Sequence, residues 1–145
     1  MHKGSEHSWG LITKIFHWLV ALLITWQIFT GFNLNILKFS PQKIASIEIH
    51  KIFGTFILII ILLRLMWRLY NTPPSNKELP KIHRIFSSII HNLLYALVIF
   101  STIQGILMTQ AGGFDVKLLG LVTFPQLISE NLNMYPVFKS IHYIL

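Results

Sequence analysis

The sequence has no cysteine and little charge. The absence of thiols among its 145 residues excludes disulfides, thiolate zinc sites, iron–sulfur clusters and haem attached through thioethers. Only 12% of the residues are charged, whereas 53% are hydrophobic and the mean hydropathy is +0.61. This composition is unusual for a soluble domain of such length, and it predicts a single domain that resides in a membrane.

Acidic residues are also scarce, with five against twelve lysines and arginines and a formal net charge of +7. The basic residues stand at the ends of apolar runs, which is typical of lipid-headgroup anchors and topology signals. No basic cluster alternates with aromatic residues in a polar segment, so nucleic-acid binding is not expected. The N-terminal tail and the second connection together hold seven lysines and arginines against five elsewhere, which predicts a cytoplasmic N-terminus.

Three apolar runs are long enough for full membrane spans, each of which needs about 20 residues. They cover residues 15–32, 50–70 and 86–109. The turn-prone GFNLN bounds the first run, the NTPPSNKELP stretch stops the second because adjacent prolines cannot continue a helix, and QAGGFD ends the third. A loop is expected over residues 110–136, followed by a short apolar segment at 137–145.

The sequence therefore predicts an all-α, integral membrane, up-and-down four-helix bundle with three full spans. The fourth segment offers only about 13 Å of helix at 1.5 Å per residue, which is less than a span. We expect either a fragment or a naturally shortened protein.

Histidine is the strong transition-metal ligand that remains when cysteine is absent. Four of the seven histidines lie just inside separate apolar segments. The predicted topology places His17 and His91 at the inner level of the membrane and His50 and His142 at the outer level. Histidines at two depths suit stacked metal centres, and haem b fits best because it is apolar and its iron accepts two axial imidazoles. This arrangement predicts electron conduction across the membrane.

The residue four positions after a histidine shares its helix face, where a porphyrin plane would need room. Ala21 follows His17 and Gly54 follows His50 at this spacing, so both histidines have a small neighbour. These pairs favour haem ligation by His17 and His50. The alternative for each is an interfacial ring that reaches the headgroups.

The other membrane-level residues fit other roles. Tyr95 follows His91 at the same spacing, and its bulk favours a role for His91 and Tyr95 at the edge of a quinone, or an alternative haem contact. Arg64 and Arg68, at the end of the second run, are either topology anchors or contacts for haem propionates. The remaining three histidines are expected in solvent or at headgroups: His2, His7 and His83.

Four motifs occur in order along nearly the whole chain. They are FHWLVALLI, HKIFGTFILIIILLRLMWRL running into TPP, HNLLYALVI followed by GILM, and LGLVTFP. Together they resemble the bacterial cytochrome b561 family. The segment STIQG differs from that family, in which a proline commonly precedes the glycine.

The resemblance implies a four-helix bundle in the bacterial inner membrane that carries two b-type haems. It would exchange electrons between the quinone pool, such as ubiquinone, and another redox partner. The resemblance carries the haem-iron ligands onto His17, His50 and His142, with His50 and His142 paired on the outer haem.

In this family the second ligand of the fourth helix lies beyond the position equivalent to residue 145. His17 would then lack its partner in this sequence, so one or two haems are expected. His91 or a second subunit, in a homo- or hetero-oligomer, could complete that site.

Several functional alternatives stay open. Quinone reduction could be coupled to superoxide oxidation at an outer face made attractive to small anions by Lys38, Lys43 and Lys51. The chain could instead be the haem-b membrane anchor of a larger dehydrogenase or hydrogenase complex, or a haem-free truncated fragment. Whether it has quinone oxidoreductase activity of its own is likewise open.

Overall fold

A computed structural model describes residues 8–71 and 80–145. In these two ranges the chain forms three long helices, a small hairpin and a fourth, short helix. The elements are α1 (Leu11–Ile36), α2 (Pro41–Tyr70), α3 (Lys81–Ala111), β1 (Lys117–Leu118), β2 (Val122–Thr123) and α4 (Tyr135–Ile144). Some sequence predictions lie outside the described residues. They are the solvent or headgroup placement of His2 and His7, the basic residues Lys3 and Lys77, and the TPP turn at 72–74.

The helices extend beyond the apolar runs because caps, not hydropathy, decide where a helix begins and ends. The first helix continues through GFNLN, which the sequence had suggested as a turn, and ends at Ile36. The second begins at Pro41, nine residues before His50. Its N-cap Ser40 accepts a hydrogen bond from the backbone N–H of Lys43 at 3.2 Å, and proline suits the first helical turn.

The three long helices pack in chain order, α1 on α2 and α2 on α3. Their common core contains one residue from each helix, Val20, Ile61 and Tyr95, which are 3%, 2% and 7% exposed. Apolar side chains on the outward faces remain largely exposed, as Leu22 (68%) and Phe29 (64%) show. All three helices are long and apolar enough to cross a membrane, so these faces contact lipid and the chain is a multi-pass membrane protein.

The expected loop after α3 contains more structure than the sequence predicted. The third helix ends at Ala111, and Gly113 follows with φ of +79°, a left-handed conformation that glycine adopts without strain. The strands β1 and β2 then pair antiparallel, with the turn between them at Leu119 and Gly120.

Buried polar side chains hold this loop against the helices. The backbone N–H of Leu119 donates to Oγ1 of Thr55, at the middle of α2, over 3.2 Å. The amide of Gln110, near the end of α3, donates to the carbonyl of Pro125 and accepts from the N–H of Leu127, each at 2.9 Å. The loop therefore packs on the same end of the bundle as His50, and it leads into α4, which lies against α3.

Candidate metal centre

His50 on α2 and His142 on α4 face one another. Their ring centroids are 6.3 Å apart and the ring planes are inclined at 80°. A metal ion about 2 Å from one nitrogen of each opposed imidazole would place the centroids about 6 Å apart. The centroid spacing of the two rings is therefore compatible with both holding one metal ion. We call the region around them the His50 end of the bundle.

Each of these rings is held through its Nδ1 atom. Nδ1 of His50 lies 3.1 Å from Oγ1 of Thr30 on α1, and Nδ1 of His142 lies 2.9 Å from the carbonyl oxygen of Ser101 on α3. Histidines that bind metals characteristically donate their second ring N–H to an oxygen in this way. Nε2 is then the nitrogen that each ring can offer to a metal ion.

Two glycines bring helix backbones against the same rings. A Cβ atom at Gly105 on α3 would lie 3.0 Å from Cε1 of His142, and one at Gly31 on α1 would lie 3.4 Å from Cε1 of His50. The sequence reasoning missed both positions as parts of a site. The available signal was a glycine inside an apolar helix, where it is less favourable than alanine by about 1 kcal/mol.

The small residues that the sequence selected have other neighbours in this structure. A Cβ atom at Gly54 would lie 3.3 Å from Nε2 of Gln27, and that amide donates to the backbone carbonyl of His50 at 2.7 Å. Ala21 is half-buried, and its carbonyl accepts from the hydroxyl of Thr25. The haem-facing roles of Ala21 and Gly54 stay predictions, whereas Gln27 is a neighbour of His50 that the sequence did not reveal.

His17 lies at the opposite end, which we call the His17 end. It is exposed, and its Nδ1 is 3.0 Å from a terminal guanidinium nitrogen of Arg64. An arginine has only donors, so Nδ1 of His17 accepts and the hydrogen of the neutral ring lies on Nε2. The hydrogen-bond role of Nδ1 is thus opposite to the role in His50 and His142.

The remaining candidate residues of the His17 end surround Tyr95. The guanidinium carbons of Arg64 and Arg68 each lie 5.4 Å from the centroid of its ring, in cation–π contacts. His91, one turn earlier on α3, is exposed, and its Nδ1 lies 2.6 Å from the carbonyl oxygen of Ser87. The structure therefore joins Arg64, Arg68 and Tyr95, and it holds His91 to its own helix.

Within residues 8–71 and 80–145, no group of three or more histidine or acidic side chains could hold a bare metal ion. Haem iron needs only two protein ligands, because the porphyrin supplies the others. The opposed rings, their Nδ1 contacts and the glycines beside them all fit that requirement. The donor set at the His50 end thus suits b-type haem.

Apolar membrane-spanning helices with an imidazole of α2 opposite an imidazole of α4 indicate a membrane cytochrome. The family model for prokaryotic cytochrome b561 matches residues 8–145. The chain belongs to this family, which implies b-type haem and electron transfer across the membrane. A relative, cytochrome b561 homolog 2 of Escherichia coli (strain K12), is 25% identical over 131 residues, which cover 88% of this chain and 69% of that protein.

Proposed function

We propose that His50 and His142 are the axial ligands of one b-type haem and that the chain passes electrons between the quinone pool and a second redox partner in a bacterial inner membrane. The observation that carries this proposal is the pair of opposed imidazoles, 6.3 Å between centroids. Haem bound there would supply iron that changes reversibly by one electron.

The protein's own residues orient the two ligands and exclude competing chemistry. The hydroxyl of Thr30 and the carbonyl of Ser101 hold the two rings, and α1 and α3 approach them closely at Gly31 and Gly105. If both histidines hold the iron, no protein-free position would remain there for a substrate. These features support electron transfer and not substrate transformation at the metal.

We propose a quinol as the electron donor, with His91 as its proton acceptor. Because the carbonyl of Ser87 can only accept, Nδ1 of His91 donates to it and Nε2 carries a lone pair. The ring is exposed on a lipid-facing helix, where a lipid-soluble quinol can reach it. Oxidation of a quinol releases two protons and two electrons: Nε2 can take one proton, the second can pass to water, and the electrons would pass one at a time to bound haem. Tyr95, enclosed by two arginines, would support this region from within the bundle.

We also propose that His17 is a ligand of a second haem. Ligation through Nε2 requires that the Arg64 contact with Nδ1 be released or replaced, after which Arg64 and Arg68 are placed to pair with haem propionates. The positive charge of the two arginines supports this assignment. Orientation with the N-terminus in the cytoplasm is proposed on the distribution of basic residues.

Superoxide is not included in the proposal. Of the three lysines that would attract it, Lys51 is nearest to His50 in sequence, and it pairs with Glu48 at 2.6 Å. Its ammonium group also donates to the carbonyl of Asp115. This pairing reduces the local positive charge on which attraction of a small anion would depend.

The haem content of the purified 145-residue chain tests the proposal. Pyridine haemochrome analysis should give about one haem per polypeptide if only the His50 end binds, and about two if His17 also finds a partner. A reduced-minus-oxidised spectrum should then develop on addition of a quinol alone. A colourless protein would reject haem binding by this chain. A haem protein that quinol cannot reduce without another subunit would favour the anchor-subunit alternative.

A further inference from the structure

The hydroxyl of Thr30 contacts two groups at once. Its Oγ1 donates to the carbonyl oxygen of Gln27 at 3.0 Å, and it lies 3.1 Å from Nδ1 of His50. A threonine hydroxyl has a single hydrogen to donate but two lone pairs with which to accept. The distribution of that one hydrogen therefore determines what the hydroxyl can offer to the histidine.

The carbonyl of Gln27 can only accept, so it takes the hydroxyl hydrogen. Oγ1 of Thr30 can then only accept from His50, which requires a hydrogen on Nδ1 of the ring. A neutral imidazole with its hydrogen on Nδ1 carries its lone pair on Nε2, the form that binds a metal ion. We propose that Thr30 is a positioning residue that fixes His50 in this tautomer and holds its ring toward His142.

Gln27 strengthens this arrangement from the same helix. Its backbone carbonyl orients the hydroxyl of Thr30, and its side-chain amide donates to the backbone carbonyl of His50 at 2.7 Å. Two residues of α1 thus hold both the ring and the main chain of His50. The position of α1 along α2 therefore bears directly on the tautomer and orientation of the His50 ring.

Thr55 on α2 shows the same pattern, since it donates to the carbonyl of Ile52, three residues earlier, and accepts from the N–H of Leu119. Three other threonines of the long helices differ. Thr25, Thr102 and Thr109 each donate to the carbonyl four residues earlier on their own helix. Thr30 donates to the carbonyl three residues earlier and reaches across to α2. At His142 the acceptor is the backbone carbonyl of Ser101, which no substitution can remove. Thr30 is therefore a side chain through which the sequence can control the tautomer of His50.

Three variants test this inference, which rests on the proposed haem site. Thr30→Val removes the acceptor and nearly keeps the shape, Thr30→Ser keeps the hydroxyl, and Thr25→Val removes a threonine hydroxyl of α1 that bonds its own helix. Each full chain is titrated with haem, and the midpoint potential is measured by redox titration. In the haem-free chain, ¹⁵N spectra of labelled histidine report the tautomer of His50, assigned with His50→Gln.

We expect Thr30→Val to weaken haem binding about tenfold or more, the usual effect of losing a hydrogen bond behind a metal ligand. Its midpoint potential should rise, because an imidazole that has lost its acceptor donates less electron density and stabilises ferric iron less. Its haem-free form should lose the uniform Nδ1–H tautomer. Thr30→Ser and Thr25→Val should match the wild type in all three measurements.

Two results would overturn the inference. One is a Thr30→Val variant with unchanged affinity, potential and tautomer. The other is an equal change in Thr30→Ser, which retains the hydroxyl. Failure of the proposed function is distinct: a wild type that binds no haem but shows His50 in the Nδ1–H tautomer, lost in Thr30→Val, would reject the haem site and keep the role of Thr30.

Discussion

The two ends of the bundle place the same residue type in similar apolar helices but give it opposite hydrogen-bond roles. At the His50 end, His50 and His142 each meet an oxygen through Nδ1. At the His17 end, Nδ1 of His17 meets the guanidinium of Arg64. An oxygen acceptor leaves the lone pair on Nε2, whereas a guanidinium donor leaves a hydrogen there. The partner atom of Nδ1 thus differs between the ends, and with it the nitrogen that carries the hydrogen of the neutral ring.

The two ends of the bundle also differ in packing. Glycine backbones and the loop after α3 enclose the His50 end, with Thr55 and Gln110 supplying buried hydrogen bonds. At the His17 end, two arginines stack on one tyrosine ring and His17 itself is exposed. The first arrangement is ordered by short-range contacts, and the second can rearrange around an anionic group.

The largest difference between the ends should appear when a ligand is removed. His142→Leu should lower the haem-to-polypeptide ratio by about one, because the proposed site would lose one of its two protein ligands and the helix α4 would no longer be tied to the haem. His17→Leu should leave that haem and its spectrum in place. The ratio is measured by pyridine haemochrome analysis. His83→Leu serves as the control, since this exposed histidine is not among the proposed ligands. Full haem content in His142→Leu would contradict the assignment.

A smaller effect should come from the glycines of the His50 end. Gly105→Ala places a Cβ atom 3.0 Å from the ring of His142, and such overpacking costs about 1–3 kcal/mol. We expect haem affinity to fall about tenfold, which corresponds to about 1.4 kcal/mol. Gly31→Ala is the matched control, because its Cβ atom would lie at an ordinary 3.4 Å from His50. Equal haem titrations for the two variants would show that Gly105 does not position the ring.

Substitution of the arginines at the His17 end should lower the stability of the protein but should have little effect on haem binding at the His50 end. Arg64→Gln removes contacts with His17 and Tyr95, whereas Arg68→Gln removes, among the contacts of residues 8–71 and 80–145, the one with Tyr95. We expect the free energy of unfolding, measured by thermal unfolding in detergent, to fall by about 1–2 kcal/mol in Arg64→Gln and by about 0.5–1 kcal/mol in Arg68→Gln. Tyr95→Phe should behave as wild type because it keeps the ring. A changed spectrum of the His50–His142 haem would show that the ends are coupled.

The smallest effect should follow loss of the ion pair beside the His50 end. Glu48→Gln breaks the pair with Lys51, in which the Glu48 side chain is 55% exposed. Such pairs contribute about 0–1 kcal/mol, so unfolding temperature and haem content should change little. A loss above this range would mean that Lys51 needs Glu48 to hold the loop through the carbonyl of Asp115.

Much of the fold could be predicted, because membrane-spanning helices need long apolar runs and those runs are visible in sequence. The residues at which the helices begin and end could not be predicted. The second helix begins at Ser40 and Pro41, outside the apolar run, and the first continues through GFNLN. Helix ends depend on caps and packing, and hydropathy reports neither.

The site was predictable in part. His50 and His142 were expected at one level, and the structure places their rings face to edge. Gly31, Gly105 and Thr30 were not expected, because contacts between helices depend on rotation and register that spacing within one helix cannot give. Gly54 is a further example. Its spacing from His50 predicted room for a porphyrin, but in the structure Gln27 of the neighbouring helix α1 lies beside it.

The sequence by itself determined that this protein is a bundle of membrane-spanning helices and, without cysteine, predicted histidines as its metal ligands, because composition limits both the solvent a chain can occupy and the donors it can offer. The resemblance had already paired His50 with His142, and only the tertiary structure decided which atoms each ring contacts and which nitrogen it presents. Those properties depend on atoms contributed by other helices: the hydroxyl of Thr30, the carbonyl of Ser101 and the guanidinium of Arg64.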